Sequence, residues 1–170
     1  PVFISTVNPE VRVKVATNLL RDYGYFNGKV TCETLVDKKD SLKASLLYTV
    51  DMKNPYFIDT VYYQRFTPQT LKIMERGRRM SYITPGEQFN VVDLDEERSR
   101  ISALLRNRGY FFFRPDYMTY QADTTLVPGG HISLRLIPVP GLPTAAQRAY
   151  YVGDASVYLF GKNGEAPNDS

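Results

Sequence analysis

Pairs of neighbouring carboxylates are the first residues in this sequence whose types and spacing could support catalysis. A general acid and a general base need two acidic groups close together, and Asp93/Asp95 and Glu96/Glu97 offer such pairs. Asp93 and Glu96 are also spaced as a capping box, with Asp93 as the helix N-cap. No histidine or cysteine stands near them in the sequence. We therefore interpret these residues as structural, and we predict no catalytic residues and no enzyme activity.

The other nucleophiles and potential metal ligands are isolated. Ser99 and Ser102 lie on a predicted helix, without the glycine elbow or the base that a nucleophilic serine needs. Cys32 is the single cysteine and His131 the single histidine, so the chain offers neither an internal disulfide nor a thiol–imidazole metal cluster. No glycine-rich loop could bind phosphate. We predict no metal site and no bound cofactor.

An aromatic run after Gly109 could bind nucleic acid. Arg108 and the aromatic residues 110–113 are similar to the aromatic strand of RNA-recognition folds, in which bases stack on rings beside cationic side chains. That strand has a small residue where Phe111 stands and an aromatic residue where Pro115 stands. We therefore predict a helix end followed by core aromatics, and single-stranded RNA binding is the outside alternative.

Seven arginines could form a basic face near these aromatics. Glu75 and the acidic residues within 93–97 are interspersed among them, which favours a solvated surface of mixed charge. Weak attraction to acidic lipid headgroups or to an acidic partner stays open. The seven are Arg76, Arg78, Arg79, Arg98, Arg100, Arg106 and Arg108.

Length and composition are those of an ordinary globular protein of one or two domains. The chain has 170 residues, of which 43% are hydrophobic and 23% charged, and its net charge is +3. A charge this small does not demand a nucleic-acid partner. No apolar run approaches the ~20 residues of a membrane-spanning helix. The sequence begins at Pro1 without a signal peptide, which we interpret as a piece cut from a longer protein.

The elements that carry these residues occur twice. The run Leu-Leu-Arg-x-x-Gly-Tyr-Phe stands at 19–26 and again at 104–111, with its glycines 85 residues apart. Each copy predicts a helix that ends at glycine, the residue that adopts a left-handed backbone at least cost, followed by a strand. Because the motif recurs, we interpret it as a structural corner of a repeated fold. The corner residues are Gly24, Tyr25, Gly109 and Tyr110.

The first copy has the order helix, strand, strand. Asn8 as N-cap and the proline after it begin a helix over 9–23. Strands follow over 29–36 and 42–50, and the second alternates with period two, which predicts one buried and one exposed face. An Asn-Pro pair then marks a boundary. Residues 1–52 are therefore predicted to be the C-terminal part of a truncated unit.

The second copy, residues 53–140, is predicted to be a complete unit. Pro115 lies within its second predicted strand and removes a backbone donor, which favours a sheet edge for that strand. The predicted elements are a strand over 56–63, a helix from Thr67-Pro68, a helix over 94–108, a strand over 111–122 and a strand over 132–136.

The run that follows is predicted to be the first strand of a third unit, at 147–161. It is similar to 56–63 in placement and in its aspartate, Asp154 against Asp59. Such a lone strand could pair with an open edge in its own chain or in a neighbour's. The polar tail at 162–170 is predicted to be disordered.

This order of elements, with three motifs, resembles POTRA (polypeptide-transport-associated) domains of the surface antigen family of outer-membrane protein assembly factors. The resemblance covers nearly all of residues 1–160 and implies an α+β fold of tandem β-α-α-β-β units. Each unit would be a three-stranded sheet with two helices on one face. The motifs are Asn-Pro-Tyr-Phe-Ile-Asp-Thr-Val at 54–61, Gly-Glu-Gln-Phe-Asn and Leu-Asp-Glu-Glu-Arg within 86–98, and Arg-Asn-Arg-Gly-Tyr-Phe at 106–111.

The resemblance also implies a place and a set of partners. The chain would lie at the periplasmic face of the outer membrane of a Gram-negative-type envelope, in a protein that continues into an outer-membrane β-barrel. Its partners would be unfolded outer-membrane protein clients, periplasmic accessory proteins and adjacent POTRA units, with no nucleic acid. A unit of this kind can bind by β-augmentation, in which an extended partner adds a strand to a sheet edge.

We predict that a partner joins the strand after Gly109, because Pro115 belongs at an edge. The alternative to an assembly factor is a POTRA-like scaffold in two-partner secretion or cell division. The predicted partner-binding residues are Phe112, Arg114, Asp116, Tyr117, Met118 and Tyr120.

Overall fold

The chain forms two sheets with helices, as an α+β fold predicts. The computed structural model describes residues 4–40 and 42–158. The helices are α1 (Ile4–Val7), α2 (Pro9–Asp22), α3 (Pro68–Arg76) and α4 (Val91–Arg106). The strands are β1 (Lys29–Val36), β2 (Ala44–Asp51), β3 (Phe57–Tyr63), β4 (Met118–Asp123) and β5 (His131–Pro138). Among the helices of the described ranges, none is long and apolar enough to cross a membrane.

The second unit, from β3 to β5, contains the main core. Its sheet has the order β3-β5-β4, with β3 parallel and β4 antiparallel to the central strand β5. Alternate residues of β5 (Ile132, Leu134 and Leu136) are fully buried and share one hydrophobic cluster with Met74 of α3 and Ile101 of α4. The unit is therefore a three-stranded sheet covered on one face by two helices, as predicted.

Helix α4 begins three residues earlier than the sequence predicted. Asn90 is the N-cap, and its side-chain oxygen accepts a hydrogen bond from the backbone N–H of Val92 at 2.9 Å. The predicted capping box of Asp93 and Glu96 is therefore wrong, and Asp93 lies in the first turn. Asn and Asp are comparable N-cap residues, so the sequence offered two starting points. The extra turn lengthens the surface that α4 lays on the sheet.

The strand predicted over 111–122 is also wrong in its first half. The backbone N–H of Phe113 donates to Tyr110 O at 3.0 Å and closes a turn, which lets the Phe113 ring enter the core. Pro115 then opens a 3-10 turn that ends at Tyr117. Proline has the backbone angle that a first helical residue needs. Pro115 therefore marks a turn, and the edge position of β4 follows from the strand order instead.

The first unit, formed by α2, β1 and β2, is far less buried than predicted. β1 and β2 pair antiparallel as a two-stranded sheet. The alternation of β2 predicted a buried face, but Leu46 and Tyr48 are only half-buried and Val50 is exposed. Leu19 of α2 is 56% exposed. In the described residues this sheet has no counterpart of β3 or α3, and the face that they would cover stays open.

The run predicted as the first strand of a third unit forms no strand in its described part, residues 147–158. A strand needs a partner for its backbone groups, and none of the described strands lies beside this run. Residues 1–3, the end of the predicted strand at 159–161 and the predicted disordered tail at 162–170 lie outside the described residues. The assignment of 147–161 to a third unit stays a prediction.

Candidate partner-binding edge

Strand β3 is one outer strand of the second sheet, and its outer side is already paired along part of its length. Residues 86–89 run beside it. The backbone N–H of Ile58 donates to Glu87 O at 2.8 Å, and the N–H of Gly86 donates to Ile58 O at 2.7 Å. An added strand would have to displace these bonds.

Strand β4 is the other outer strand, and no segment of the described chain pairs with its outer side. The backbone N–H of Val139 donates to Tyr117 O at 2.9 Å, and this bond shows which residues of β4 direct their backbone groups toward β5. Backbone groups alternate in direction along an antiparallel strand. Those of Met118, Tyr120 and Ala122 therefore point outward, toward the position of an added strand.

Arg98 on α4 forms a hydrogen bond with the first of these outward-pointing backbone groups, the carbonyl of Met118. Its Nη1 donates to Met118 O at 3.2 Å, and its Nη2 forms an ion pair with Asp95. Since the guanidinium occupies the Met118 carbonyl, the outward backbone groups of Tyr120 and Ala122 remain. We call residues 120–122 the open edge.

The side chains of β4 that share a face with the helices hold the open edge in place. Met118 is fully buried, and the Tyr120 ring packs against the core with its hydroxyl donating to Leu94 O at 3.3 Å. Burial raises the pKa of Tyr120, and the charge of Glu97 raises it further. The phenol therefore stays protonated as a donor. The open edge offers its backbone to a partner, since its largest side chain points into the protein.

A buried ion pair holds α4 against the loop that follows α3. The Glu97 carboxylate accepts hydrogen bonds from Nε and Nη2 of Arg100, at 2.8 and 2.7 Å, and from the backbone N–H of Tyr82 at 3.0 Å. Arg100 Nη1 also donates to Gly77 O at 3.0 Å. Burial alone would raise the pKa of Glu97, but the guanidinium and the Tyr82 amide outweigh it, and the pKa is lowered from its ordinary 4.5. Glu97 is therefore a charged anchor.

Tyr63 on β3 joins this anchor to the sheet. Its hydroxyl donates to Glu97 Oε1 at 3.2 Å, and the Arg78 guanidinium lies over its ring, 4.1 Å from the centroid. Burial, with the Glu97 charge beside it, raises the pKa of Tyr63 to about 12. One carboxylate thus links the sheet, α4 and the loop after α3.

The predicted binding residues do not form one surface. Met118 and Tyr120 lie on β4 with buried or half-buried side chains, and the other four precede the strand. Asp116 and Tyr117 belong to the 3-10 turn, where Asp116 pairs with Arg114 at 3.3 Å. Phe112 lies in the turn after Gly109. The side chains that the sequence singled out are therefore less available to a partner on β4 than its backbone.

The corner at Gly24 is a joint between the two units. Gly24 has a φ of 90°, and its carbonyl accepts a hydrogen bond from the backbone N–H of Tyr56 at 2.9 Å. The ring of Phe26 packs against Tyr56 and Phe89, with both centroid distances 5.1 Å. Gln88 Nε2 donates to Tyr23 O at 2.7 Å. The end of α2 is thereby fixed to the start of β3 and to the loop before α4.

The corner at Gly109 repeats this joint. Gly109 has a φ of 97°, and its carbonyl accepts a hydrogen bond from the backbone N–H of Tyr150 at 2.8 Å. The Tyr150 ring packs edge-to-face on Phe112 at 5.3 Å. The bonds that end the two helices also match, since Tyr25 N–H donates to Leu20 O and Tyr110 N–H to Leu105 O. Tyr150 thus stands at the second corner as Tyr56 does at the first.

Several of the residues that could support catalysis make structural contacts instead. Ser102 Oγ is buried and donates to Phe113 O at 3.2 Å. Glu97 is buried in its ion pair, and Asp95 pairs with Arg98. No cluster of three potential metal ligands occurs in the described ranges. These contacts account for Ser102, Glu97 and Asp95, three of the residues that first suggested catalysis.

The RNA-binding alternative requires an aromatic strand, and the structure forms no strand at residues 110–113. Stacking on an RNA-recognition surface requires aromatic side chains on a strand, but Phe111 and Phe112 lie in a turn and Phe113 is buried in the core. Of the seven arginines, three form ion pairs with acidic neighbours three residues away. These three are Arg78, Arg98 and Arg100.

Sequence reasoning missed the structural roles of Glu97 and Arg98. A signal was present for Glu97, since it occupies the apolar spacing of Leu94, Ile101 and Leu105 with an arginine three residues on. A charged residue in an apolar stripe indicates a buried pair. No comparable signal marks Arg98, whose role depends on where β4 lies.

Comparison with known proteins shows what this architecture resembles. No protein-family profile matches the chain, and no curated protein sequence does. Among solved structures it is similar to the POTRA3-5 crystal structure of Haemophilus influenzae BamA, with 14% identity and a TM-score of 0.50 over 78% of this chain and 50% of that one. It is also similar to BamA from Haemophilus ducreyi lacking POTRA domains 1-3, with 12% identity and a TM-score of 0.47 over 78% and 23%. This chain spans half the length of the first structure. The likeness to POTRA3-5 agrees with the order of strands and helices, and the chain therefore has the fold of POTRA domains.

Proposed function

We propose that this chain is a periplasmic POTRA segment of an outer-membrane protein that assembles or translocates β-barrel proteins. An extended segment of an unfolded client or of an accessory protein adds to the open edge as a fourth strand. Backbone pairing of this kind tolerates many side-chain sequences, as a receptor for varied clients requires. The observation that carries the proposal is the contrast between the outer strands, since β3 is partly paired and β4 leaves the backbone of Tyr120 and Ala122 open.

The repeated joint supports a second part of the proposal, which concerns neighbouring units. Residues 53–140 are one complete unit, residues 1–52 are the end of a preceding one, and a third begins near Tyr150. Two hydrogen bonds support this division, from the backbone N–H of Tyr56 to Gly24 O and from that of Tyr150 to Gly109 O. Each bond joins the glycine corner of one unit to the start of the next unit. The corner residues then serve to attach adjacent POTRA units.

A proline variant tests the open edge without disturbing the core. Ala122→Pro removes an outward N–H that β5 does not use, which an edge strand can tolerate. Ala122→Val keeps that N–H and is the matched control. With a fluorescently labelled β-strand peptide from an outer-membrane protein, we expect the proline variant to lose binding and the valine variant to keep it. Equal binding by both variants would overturn the edge assignment, provided that both retain the parent's circular dichroism.

A further inference from the structure

The open edge of β4 ends at a hydrogen bond that comes from another element. Both backbone groups of Met118 point away from β5, and both are occupied. Its N–H donates to Pro115 O within the 3-10 turn, and its carbonyl accepts from Arg98 Nη1 at 3.2 Å. The first bond belongs to the chain that leads into β4. The second depends on one side chain of α4, so rotation of that side chain is enough to break it.

The helix that carries Arg98 holds it beside the edge. Ser102 lies one turn further along the same face of α4, and its hydroxyl donates to Phe113 O at 3.2 Å. α4 also packs against the 3-10 turn before β4. The distance between the backbone of α4 and the start of β4 is therefore fixed, and the orientation of the Arg98 side chain decides whether Met118 O is occupied.

The Arg98 guanidinium is incompletely satisfied in this orientation. Nη2 pairs with Asp95, whose side chain is 59% exposed, and the bond from Nη1 to Met118 O is at the upper end of the usual range. Nε is shielded from solvent, yet no atom of the described chain accepts a hydrogen bond from it. A buried donor without an acceptor costs free energy. Rotation of Arg98 into solvent therefore gains a hydrogen bond at Nε while it gives up the bond at Nη1.

We propose that Arg98 controls access to the open edge by competing with an incoming strand for the carbonyl of Met118. This inference rests on the proposed function, in which an extended partner adds to β4. With Arg98 in place, the partner pairs only with the backbone of Tyr120 and Ala122. When Arg98 turns into solvent, Met118 O becomes a further acceptor and the partner pairs along the start of β4 as well.

This competition has a measurable consequence for affinity. A binding-competent state that is only partly populated weakens the apparent affinity in proportion to its population. Charged side chains beside a sheet edge are also a common protection against unwanted strand pairing. Arg98 thus favours partners that form enough backbone hydrogen bonds to displace it.

Substitution of Arg98 by methionine tests the competition. Methionine has an unbranched side chain and favours helix, but it donates no hydrogen bond. Arg106→Met removes the same charge from an exposed position in the last turn of α4 and is the matched control. With a β-strand peptide that carries no charged groups, we expect Arg98→Met to bind about 3- to 10-fold more tightly than the parent, the effect of one competing hydrogen bond. Arg106→Met should bind as the parent does.

A second measurement follows Arg98 in the parent chain. NMR spectroscopy of an arginine-labelled sample of the whole chain reports how fast the proton on Arg98 Nε exchanges with water. We expect slower exchange in the free chain, in which Nε is shielded from solvent, than in the chain saturated with peptide. Equal or slower exchange in the complex would overturn the proposal.

The outcomes separate this inference from the proposed function. Equal binding by the parent and Arg98→Met, with amide shifts at Tyr120 and Ala122 in both, would overturn the role of Arg98 and leave the proposed open edge unaffected. Weaker binding by Arg98→Met, or an equal gain in Arg106→Met, would also overturn that role. If no variant binds, or if the shifts lie away from 120–122, the proposed function fails and this inference fails with it. Circular dichroism of each variant establishes that the fold is retained.

Discussion

The two units of this chain share one pattern of residues and differ in how much of it is buried. Each has a helix that ends at a glycine corner, followed by an antiparallel strand pair. In the second unit Leu134 is fully buried between two strands and beneath two helices, while its counterpart Leu46 is half-buried. The pattern thus determines which face is apolar, and the neighbouring elements determine whether that face is covered.

The polar anchor is a second difference between the units. Glu97 is buried with Arg100 in the second unit, whereas the equivalent positions 85 residues earlier hold Arg12 and Val15, both exposed. The second unit therefore attaches its long helix to the adjoining loop by charge, and the first unit has no such pair at those positions. Four tests sharpen this comparison.

Loss of the anchor should have the largest effect. Glu97→Ala leaves the Arg100 guanidinium, 13% exposed, without its carboxylate, and breaking a buried pair in this way costs about 3–5 kcal/mol. Arg12→Ala, at the equivalent exposed position, is the matched control and should change stability little. Residue-resolved hydrogen exchange measures both, because it reports each unit separately. Equal destabilisation by the two substitutions would contradict the comparison.

Truncation of the two equivalent leucines, one in each unit, tests the difference in burial directly. Leu134→Ala removes a fully buried side chain and should destabilise the second unit by about 2–5 kcal/mol. Leu46→Ala removes a half-buried one and should cost the first unit clearly less. Amide exchange in β5 and β2 provides the measurement. A larger loss at Leu46 would show that the first unit is covered in solution.

Alanine substitutions at the two corner glycines should differ less in their effect on stability. Alanine at Gly24 or Gly109 strains a left-handed backbone by about 1–2 kcal/mol. At Gly24 the added Cβ would also lie 3.0 Å from Phe89 O, which is held in the first joint. At Gly109 it would lie 2.8 Å from Tyr150 O, in a segment without strand pairing that can shift. Gly24→Ala should therefore be the more destabilising in thermal unfolding, and the reverse order would mean that the second joint is the more rigid.

The pH dependence of the anchor should be the smallest effect. The pKa of Glu97 is lowered in the fold from its ordinary 4.5. Its charge therefore contributes stability that is complete above pH 4.5 and is lost as the pH falls through the folded pKa. The stability difference between the parent and Glu97→Gln should be constant near neutral pH and shrink on acidification below 4.5. A difference that grows on acidification would contradict this assignment.

Local signals in the sequence predicted local structure well. The glycine corners, the Asn8 cap and the bounds of β1 follow from backbone preferences that act within a few residues. The sequence did not show whether Pro115 opens a turn or lies in an edge strand, because the answer depends on the burial of the Phe113 ring in the core. The bond from Arg98 to Met118 joins elements that only the folded chain brings together. The sequence therefore indicated the edge strand, but through the wrong residue.

The contrast between the two outer strands of the second unit carries the functional proposal, and backbone amide shifts test it most directly. An isotope-labelled sample of the whole chain is titrated with a β-strand peptide from an outer-membrane protein. We predict that the largest shifts and new exchange protection appear at the amides of Tyr120 and Ala122, with little change at Ile58 and 86–89. Shifts concentrated along β3, or confined to the first unit, would contradict the account.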